Sequence, residues 1–252
     1  MTSPTVLDLP TVVGHRGAAA SAPENTLAGF HWAAEIGVSW VEFDVQLSGD
    51  GRCIVFHDDK LDRITSGHGA VDNTSYDAIR RLDAGAWFGP EFAGQRVPPL
   101  SEVLTLLLEL GIRPDIEIKP NDGRDVETAH VALAEATALW PTDRPPPLIT
   151  SFRHQCLAAA REVAPHWPRG LLTFRYLRDW RARLEALDCQ VFVCHHEKLT
   201  RRRVAEIVGA GYPIMAFTVN SRRRAANLLT WGVSSIISDA PENLLSLAAG
   251  DL

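Results

Sequence analysis

Short apolar runs of the kind that form strands alternate along this chain with longer stretches in which apolar residues recur every three or four positions. Eight strand-like runs are legible, at residues 12–16, 41–45, 116–119, 148–152, 170–173, 191–195, 214–219 and 235–238. Between several of them the spacing is helical. Leu100, Val103, Leu104 and Leu107 fall at i, i+3, i+4 and i+7, with Ser101 near the start and Gly111 after the end; this is one amphipathic face with its punctuation. Similar helices fit residues 27–36 before Gly37, 200–208 before Gly211 and 221–231 before Gly232. Strands alternating with helices mean βα units around a parallel sheet. Eight units in 252 residues fit an α/β fold of the (β/α)8 TIM-barrel kind, whose usual length is roughly 250 residues, as a single domain over residues 1–252. An open doubly wound sheet gives the same alternation, so the choice falls to the polar residues that the strands carry.

Two features interrupt the repeat after the second strand. Residues 46–57 read as a hairpin, because Asp50-Gly51 between two β-like arms is a two-residue turn signal; counting outward from it sets Asp44 opposite His57. Residues 58–99 then form an insertion far longer than the roughly 2 to 6 residues of an ordinary βα loop, either a small subdomain or an active-site rim. Trp87, Phe88 and Phe92 are expected to be its core, with a place at the substrate mouth as the alternative. Pro145, Pro146 and Pro147 read as a stiff loop before the fourth strand.

A parallel barrel strand is normally apolar on both faces, so polar residues within one mark a site. In residues 42–46 the two-residue period puts Glu42, Asp44 and Gln46 on one face and Phe43 and Val45 on the other. The same rule groups Glu117 with Lys119 against Ile116 and Ile118. Three carboxylates aimed at one place repel one another, and a hard, oxygen-ligated divalent cation relieves that: Mg2+ or Ca2+, with Mn2+ also admitted. The competing reading makes Glu42, Asp44, Glu117 and Lys119 a buried ion network that only sets strand register.

Composition narrows the partners. The net charge of −6 gives no broad positive field, which argues against nucleic acid. The arginine runs 201–203 and 222–224 follow the helix-capping residues Thr200 and Ser221 and read as solvated helix faces. Cys53, Cys156, Cys189 and Cys194 show no metal-binding spacing and read as reduced thiols. Residues 1–13 have no leader-like pattern, and the longest apolar run, around 103–110, is broken by Thr105 and Glu109. The expectation is a cytoplasmic protein without stable membrane insertion; the oligomeric state is not legible.

Gly14-His15-Arg16-Gly17 ends the first strand, Pro23-Glu24-Asn25-Thr26 opens the first helix, and Val55-Phe56-His57-Asp58-Asp59 closes the hairpin. With Glu42-x-Asp44 and Asp50-Gly51 between them, these segments resemble the signature of the glycerophosphodiester phosphodiesterases, bacterial cytosolic type. The likeness continues through Leu61-Asp62-Arg63, Thr65, Gly67, Leu82-Asp83-Ala84-Gly85, Glu117-Ile118-Lys119-Pro120, Phe217-Thr218-Val219-Asn220 and Ser238-Asp239. The resemblance implies hydrolysis of small-molecule glycerophosphodiesters to sn-glycerol 3-phosphate and an alcohol, through a cyclic phosphate. It implies His15 and His57 as the acid/base pair, Glu42, Asp44 and Glu117 as ligands of one divalent cation, and Arg16 and Lys119 as phosphate contacts. The chemistry needs such a set independently: charge growing on a phosphodiester must be neutralised, and imidazole serves as acid or base near neutral pH.

Phe217 stands where relatives often carry Trp; apolar contact with glycerol carbons survives that change and an indole N–H contact does not. Ser48 replaces a common Thr. His195-His196 is read as structural, because neighbouring strand residues point to opposite faces. Asn25 fits the N-cap of the first helix as well as it fits a site. The competing functions are a lysophospholipase D-type or phosphoinositide-cleaving enzyme on the same barrel, which should carry an exposed apolar rim; a Schiff-base aldolase using Lys119; and a non-catalytic sugar-phosphate binding barrel.

Overall fold

The computed structural model describes residues 7–247; the reading of residues 1–6 and the last five positions of the chain lie outside them. Nine strands run in the order β1 Val12–His15, β2 Trp40–Leu47, β3 Cys53–Val55, β4 Arg113–Ile118, β5 Leu148–Ser151, β6 Arg169–Thr173, β7 Val191–His195, β8 Ile214–Phe217 and β9 Ser235–Ser238. The helices are α1 Leu27–Glu35, α2 Tyr76–Ile79, α3 Leu100–Leu110, α4 Asp125–Leu139, α5 His154–Val163, α6 Trp180–Leu187, α7 Arg201–Gly209 and α8 Arg222–Trp231. All the strands but β3 pair in parallel, in the circular order β1-β2-β4-β5-β6-β7-β8-β9 and back to β1. Closure is direct: Gly14 pairs with Val41 on one side of β1, and Val12 with Ile236 on the other. The eight expected strands are those of a TIM barrel, and the open sheet is excluded.

The barrel interior is divided. An apolar cluster of Val13, Trp40, Leu148, Leu172, Val191, Val193, Met215, Phe217 and Ile237 fills much of it. Glu42, Asp44, Asp115, Glu117 and Thr150 are buried on β2, β4 and β5. Phe43, Val45, Ile116 and Ile118 point outward into a cluster shared with α1, α3 and α4, as the two-residue period requires. A second outer cluster packs α6, α7 and α8 on the far side. Thr200 and Ser221 cap α7 and α8, accepting from the backbone N–H groups of Arg203 and Arg224. The first two arginines of each run are exposed, whereas Arg203 and Arg224 fold back to donate to the carbonyls of Lys198 and Leu199 respectively.

Three local expectations are corrected. The hairpin pairs Val45 with Val55 and Leu47 with Cys53, so Asp44 lies opposite Phe56, whose N–H donates to the Asp44 carbonyl at 3.0 Å. The turn between Ser48 and Arg52 therefore holds three residues, with Gly51 left-handed at φ 80°; this is a turn closed by a glycine bulge, one residue out of register with the two-residue reading. The cap of α1 is Thr26, whose hydroxyl accepts from Gly29 N–H, and Asn25 is released for the site. The insertion folds around Ile54, Phe56, Leu61, Ile64, Val71, Ile79, Ala84 and Val97. Trp87, Phe88 and Phe92 pack edge to face outside that core and do not line the large cavity. A compact segment of this size is filled more closely by branched aliphatics than by three large rings.

The turn that ends β1 has little room. A Cβ on Gly14 would lie 2.0 Å from the Gly17 carbonyl oxygen, and one on Gly17 2.7 Å from the Gly29 carbonyl oxygen, with Gly17 at φ 93°. These contacts are with backbone, which cannot swing aside. Gly14→Ala is expected to destabilise the fold by about 1–3 kcal/mol, as overpacking does, read as a lower midpoint of urea unfolding with an unchanged slope.

Candidate active site

The strand register assembles the acidic group. Glu42 pairs with Asp115 and Asp44 with Glu117 across β2 and β4, so four carboxylates occupy two successive levels of the barrel mouth. Oxygens of Glu42, Asp44 and Glu117 all lie within 4.8 Å of one another, and all three side chains are buried. Burial and then the charge of Asp44 push the Glu117 carboxyl up to about 8. Burial, Asp44 and Glu117 likewise raise Glu42 well above its ordinary value. Asp44 goes the other way: burial alone would raise it, but Arg16, His57 and Lys119 outweigh that and lower it. Asp115, pushed up to about 7 mainly by burial, accepts from the Thr150 hydroxyl at 2.8 Å. The buried Glu42 Oε2 has no hydrogen-bond partner. An all-oxygen donor set with mutual repulsion and an orphaned oxygen fits a hard divalent cation held by Glu42, Asp44 and Glu117.

Arg16 approaches this group from the end of β1 in the left-handed conformation, φ 52°. Its N–H donates to the Glu42 carbonyl at 2.7 Å and its own carbonyl accepts from Asn25 N–H at 3.1 Å, which holds a non-glycine residue where it is otherwise disfavoured. Its Nε lies 3.3 Å from Asp44 Oδ2. Asn25, also left-handed at φ 56°, donates from Nδ2 to Asp44 Oδ2 at 3.0 Å. Lys119 continues the ladder beyond β4, its N–H donating to the Val45 carbonyl at 2.9 Å, and lines the same cavity.

The two histidines stand in matching arrangements. His15 Nδ1 is 2.5 Å from Asp239 Oδ1 and its Nε2 is 3.6 Å from Glu42 Oε2. His57 Nδ1 is 2.7 Å from Asp58 Oδ1 and its Nε2 is 3.9 Å from Asp44 Oδ1. Both aspartates are held below the ordinary carboxylate range, because hydrogen bonds from their neighbours outweigh the upward push of burial. An ionised carboxylate only accepts, so each Nδ1 carries the proton and each Nε2 faces the acidic group. Burial lowers the His57 pKa despite the opposing Asp44 charge. Asn220 fixes Asp239, donating to Oδ2 from its own Nδ2 at 2.7 Å and accepting the Asp239 N–H at 2.9 Å.

Asp58 is fixed differently. Arg63, from the insertion, donates to both Asp58 oxygens at 2.7 and 2.9 Å and to both Glu24 oxygens at 2.7 and 2.8 Å. Glu24 in turn accepts from Arg16 Nη1 at 2.8 Å. The side chains thus form a closed ring: Asp44, Arg16, Glu24, Arg63, Asp58, His57 and back to Asp44. Gln46 braces it from beneath, donating to the carbonyls of Phe56 and Asp58. Since Arg63 is 46% exposed, its ion pairs are screened and contribute little stability; what they do is set angles. Asp58, Arg63, Glu24, Asn220, Asp239 and Asp115 were given no role by sequence reasoning, and Asn25 was left between helix cap and site. All of them but Asp115 lie in the signature segments, and Asp115 was signalled by its position two residues before Glu117.

A cavity of about 770 Å³ opens over this end of the barrel, lined by His15, Arg16, His57, Glu117, Lys119 and Phe217, with Asp59, Lys60 and Asp72 from the insertion. The insertion thus contributes both an apolar cluster and part of the cavity wall. His195 also lines the cavity, while His196 stacks on it at 4.9 Å without lining it and sits beside Arg224. Buried carboxylates and two His–Asp pairs at the strand ends of a TIM barrel make a hydrolase-like site on the face such enzymes use.

The comparisons agree with that class. The model of the glycerophosphoryl diester phosphodiesterase family matches residues 15–243. A glycerophosphodiester phosphodiesterase of Caldanaerobacter subterraneus is 34% identical over 94% of this chain and 96% of its own length, and one from Bacillus altitudinis is 31% identical over 94% and 97%. A phosphodiesterase of Oleispira antarctica, solved with the product sn-glycerol 3-phosphate, superposes with a TM-score of 0.93 at 37% identity over 96% of this chain and 98% of that one. The chain belongs to the glycerophosphoryl diester phosphodiesterase family, a family of phosphoric diester hydrolases.

Two outcomes test the geometry. Arg63→Met should lower kcat on the order of 10²-fold, the cost of a misplaced catalytic group, while the melting temperature moves little. The second concerns pH in the cation-free protein. Glu42, Asp115 and Glu117 have folded pKa values above their unfolded ones. Their contribution to stability is complete below about pH 4 and is lost as pH rises through the folded values. The EDTA-treated protein should melt lower at pH 8.0 than at 6.5, and Glu117→Gln should flatten that slope.

Proposed function

We propose that this protein hydrolyses small-molecule glycerophosphodiesters to sn-glycerol 3-phosphate and an alcohol, with a divalent cation at Glu42, Asp44 and Glu117 and with His15 and His57 as the acid/base pair. The observation that carries this reading is that two imidazoles, each oriented by its own carboxylate, turn Nε2 toward one acidic cluster, one from the end of β1 and the other from just after β3. When bound, a divalent cation supplies Lewis-acid neutralisation of charge on the phosphate oxygens.

The chain's own residues account for the rest. Arg16 and Lys119 bind the phosphate anion and stabilise the charge that grows on it. One histidine accepts the proton of the glycerol 2-hydroxyl at Nε2 as that oxygen attacks phosphorus. The other donates its Nε2 proton to the leaving alcohol oxygen, giving a cyclic phosphate. In the second step the roles reverse: water attacks phosphorus, its proton passes to the histidine that has just donated, and the ring oxygen recovers the proton held by the other. The pair returns to its starting state, and two groups are needed because in-line displacement puts the entering and leaving oxygens on opposite sides of phosphorus. Phe217, at the end of β8, contacts the glycerol carbons.

The lysophospholipase D alternative on the same barrel is separated by substrate, and no helix among the described residues is long and apolar enough to cross a membrane. Release of sn-glycerol 3-phosphate from glycerophosphodiesters, followed in a coupled assay, should vanish with EDTA and return with Mg2+, Mn2+ or Ca2+. His15→Ala and His57→Ala should each remove about 10²–10⁴-fold of the turnover with little change in melting temperature. Near wild-type rates in either variant would overturn the acid/base assignment. Lys119→Met should raise KM more than it lowers stability; a melting temperature lower by ten degrees or so would instead favour a structural ion network.

A further inference from the structure

The half of the cavity opposite the carboxylates is aromatic. Phe152 and Phe174 follow β5 and β6, while His195 and Phe217 end β7 and β8, and all four line the cavity. Phe152 and Phe174 stack with centroids 4.4 Å apart and planes within 13°. Phe217 meets both edge on, at 5.9 and 5.7 Å, and His195 stands perpendicular to Phe217 at 5.7 Å. Phe217 is only 9% exposed at the inner end of this shelf, but Phe174 at the outer end is 60% exposed. Trp32, Trp87, Val126, Leu139 and Val208 are also exposed, yet among the described residues only Phe174 of this group lies on the cavity wall. A ring left open to solvent inside a substrate cavity has one face without a partner.

The space exceeds what the proposed product needs. Ligand sites of roughly 300–1,000 Å³ bury most of a drug-sized molecule, and glycerol phosphate is far smaller than that, so the cavity has room for the alcohol. The chemistry of the shelf restricts which alcohol. Thr218, Arg153 and His195 are its polar neighbours in the lining, and Arg153 is already paired with Asp122 at 2.8 Å and Asp125 at 3.5 Å. A polyol or a primary ammonium would leave several hydrogen-bonding groups unmet there, at a cost. A group with no hydrogen-bond donors loses nothing. Positive charge adds a gain, because aromatic faces are electronegative; the rim itself carries both signs, Asp59, Asp72 and Asp122 beside Lys60 and Arg153.

We propose that Phe152 and Phe174 form the subsite for the leaving alcohol and select a quaternary ammonium group of the choline type. The inference rests on the phosphodiesterase reading and names its substrate class. The test is steady-state kinetics with three glycerophosphodiesters: those of choline, of ethanolamine, and of 3,3-dimethylbutanol, the uncharged isostere of choline. For the wild-type protein, KM for the choline ester should be the lowest of the three, below the isostere by about two- to fivefold, the size of an exposed cation–π contact. Phe174→Ala, at an exposed position where folding is not at stake, should raise KM for the choline ester on the order of fivefold. KM for the ethanolamine ester and kcat for both should stay within about twofold of wild type, a margin below one cation–π contact. Phe174→Trp should keep or strengthen the preference. Equal KM values for choline ester and isostere, or an equal loss on all three substrates in Phe174→Ala, would overturn the subsite while leaving the phosphodiesterase reading intact. Turnover of none of the three would sink that reading and the subsite with it.

Discussion

Mutual repulsion among buried carboxylates is the constraint around which this molecule is organised. Glu42, Asp44, Asp115 and Glu117 share two levels of one barrel mouth, where charge taken from water costs several kcal/mol per ion unless it is paired. The surrounding structure reads as a set of responses. Arg16 is bent into a left-handed conformation to face Asp44. Asn25 is drawn from the helix cap to donate to the same carboxylate. Glu42 and Glu117 are left raised and Glu42 Oε2 has no hydrogen-bond partner, a state that a cation relieves. A site prepared for positive charge can also hold an anionic substrate against a nucleophile, since phosphate oxygens and carboxylates are neutralised by the same groups.

The two His–Asp pairs resemble each other in geometry and differ in support. Asp239 is held by a neutral amide, Asn220, within the β8 and β9 loops. Asp58 is held by a charged guanidinium from the insertion, which also grips Glu24 and through it Arg16. One histidine is thus anchored to the barrel and the other to the segment added after β2. The insertion supplies Arg63, and the apolar cluster that it shares with Ile54 and Phe56 of the hairpin backs that segment. Forked guanidinium pairing with two carboxylates suits such a role, because it constrains orientation as well as charge.

The cavity's division into an acidic and an aromatic half follows from the strand ends that build it. β2 and β4 present carboxylates, while β7 and β8 end in His195 and Phe217, with Phe152 and Phe174 just past β5 and β6. On the proposed reading, charge is thereby concentrated where bonds are made and broken, and dispersion and quadrupole contacts where the departing group rests. A barrel allows this separation because each strand end contributes to the mouth independently.

Local pattern determined a good deal by itself. The eight barrel strands, the helices before Gly37, Gly111, Gly211 and Gly232, and the shared face of Glu42 and Asp44 all follow from periodicities of two and 3.6 residues, which backbone geometry imposes without reference to the rest of the fold. Residue type and order within the signature segments marked His15, His57, Arg16, Lys119 and Glu117, and the fold brings them to one cavity. Tertiary structure decided what depends on distance across the chain. His15 meets Asp239 over 224 positions and Arg63 meets Glu24 over 39, separations for which local periodicity carries no information. The hairpin register turned on one left-handed glycine, and the choice between Asn25 and Thr26 as a cap turned on a carboxylate 19 positions away. Parallel pairing of β5 to β8 put aromatic residues from four successive strand ends onto one wall; Phe152 and Phe174, read singly, are ordinary apolar residues.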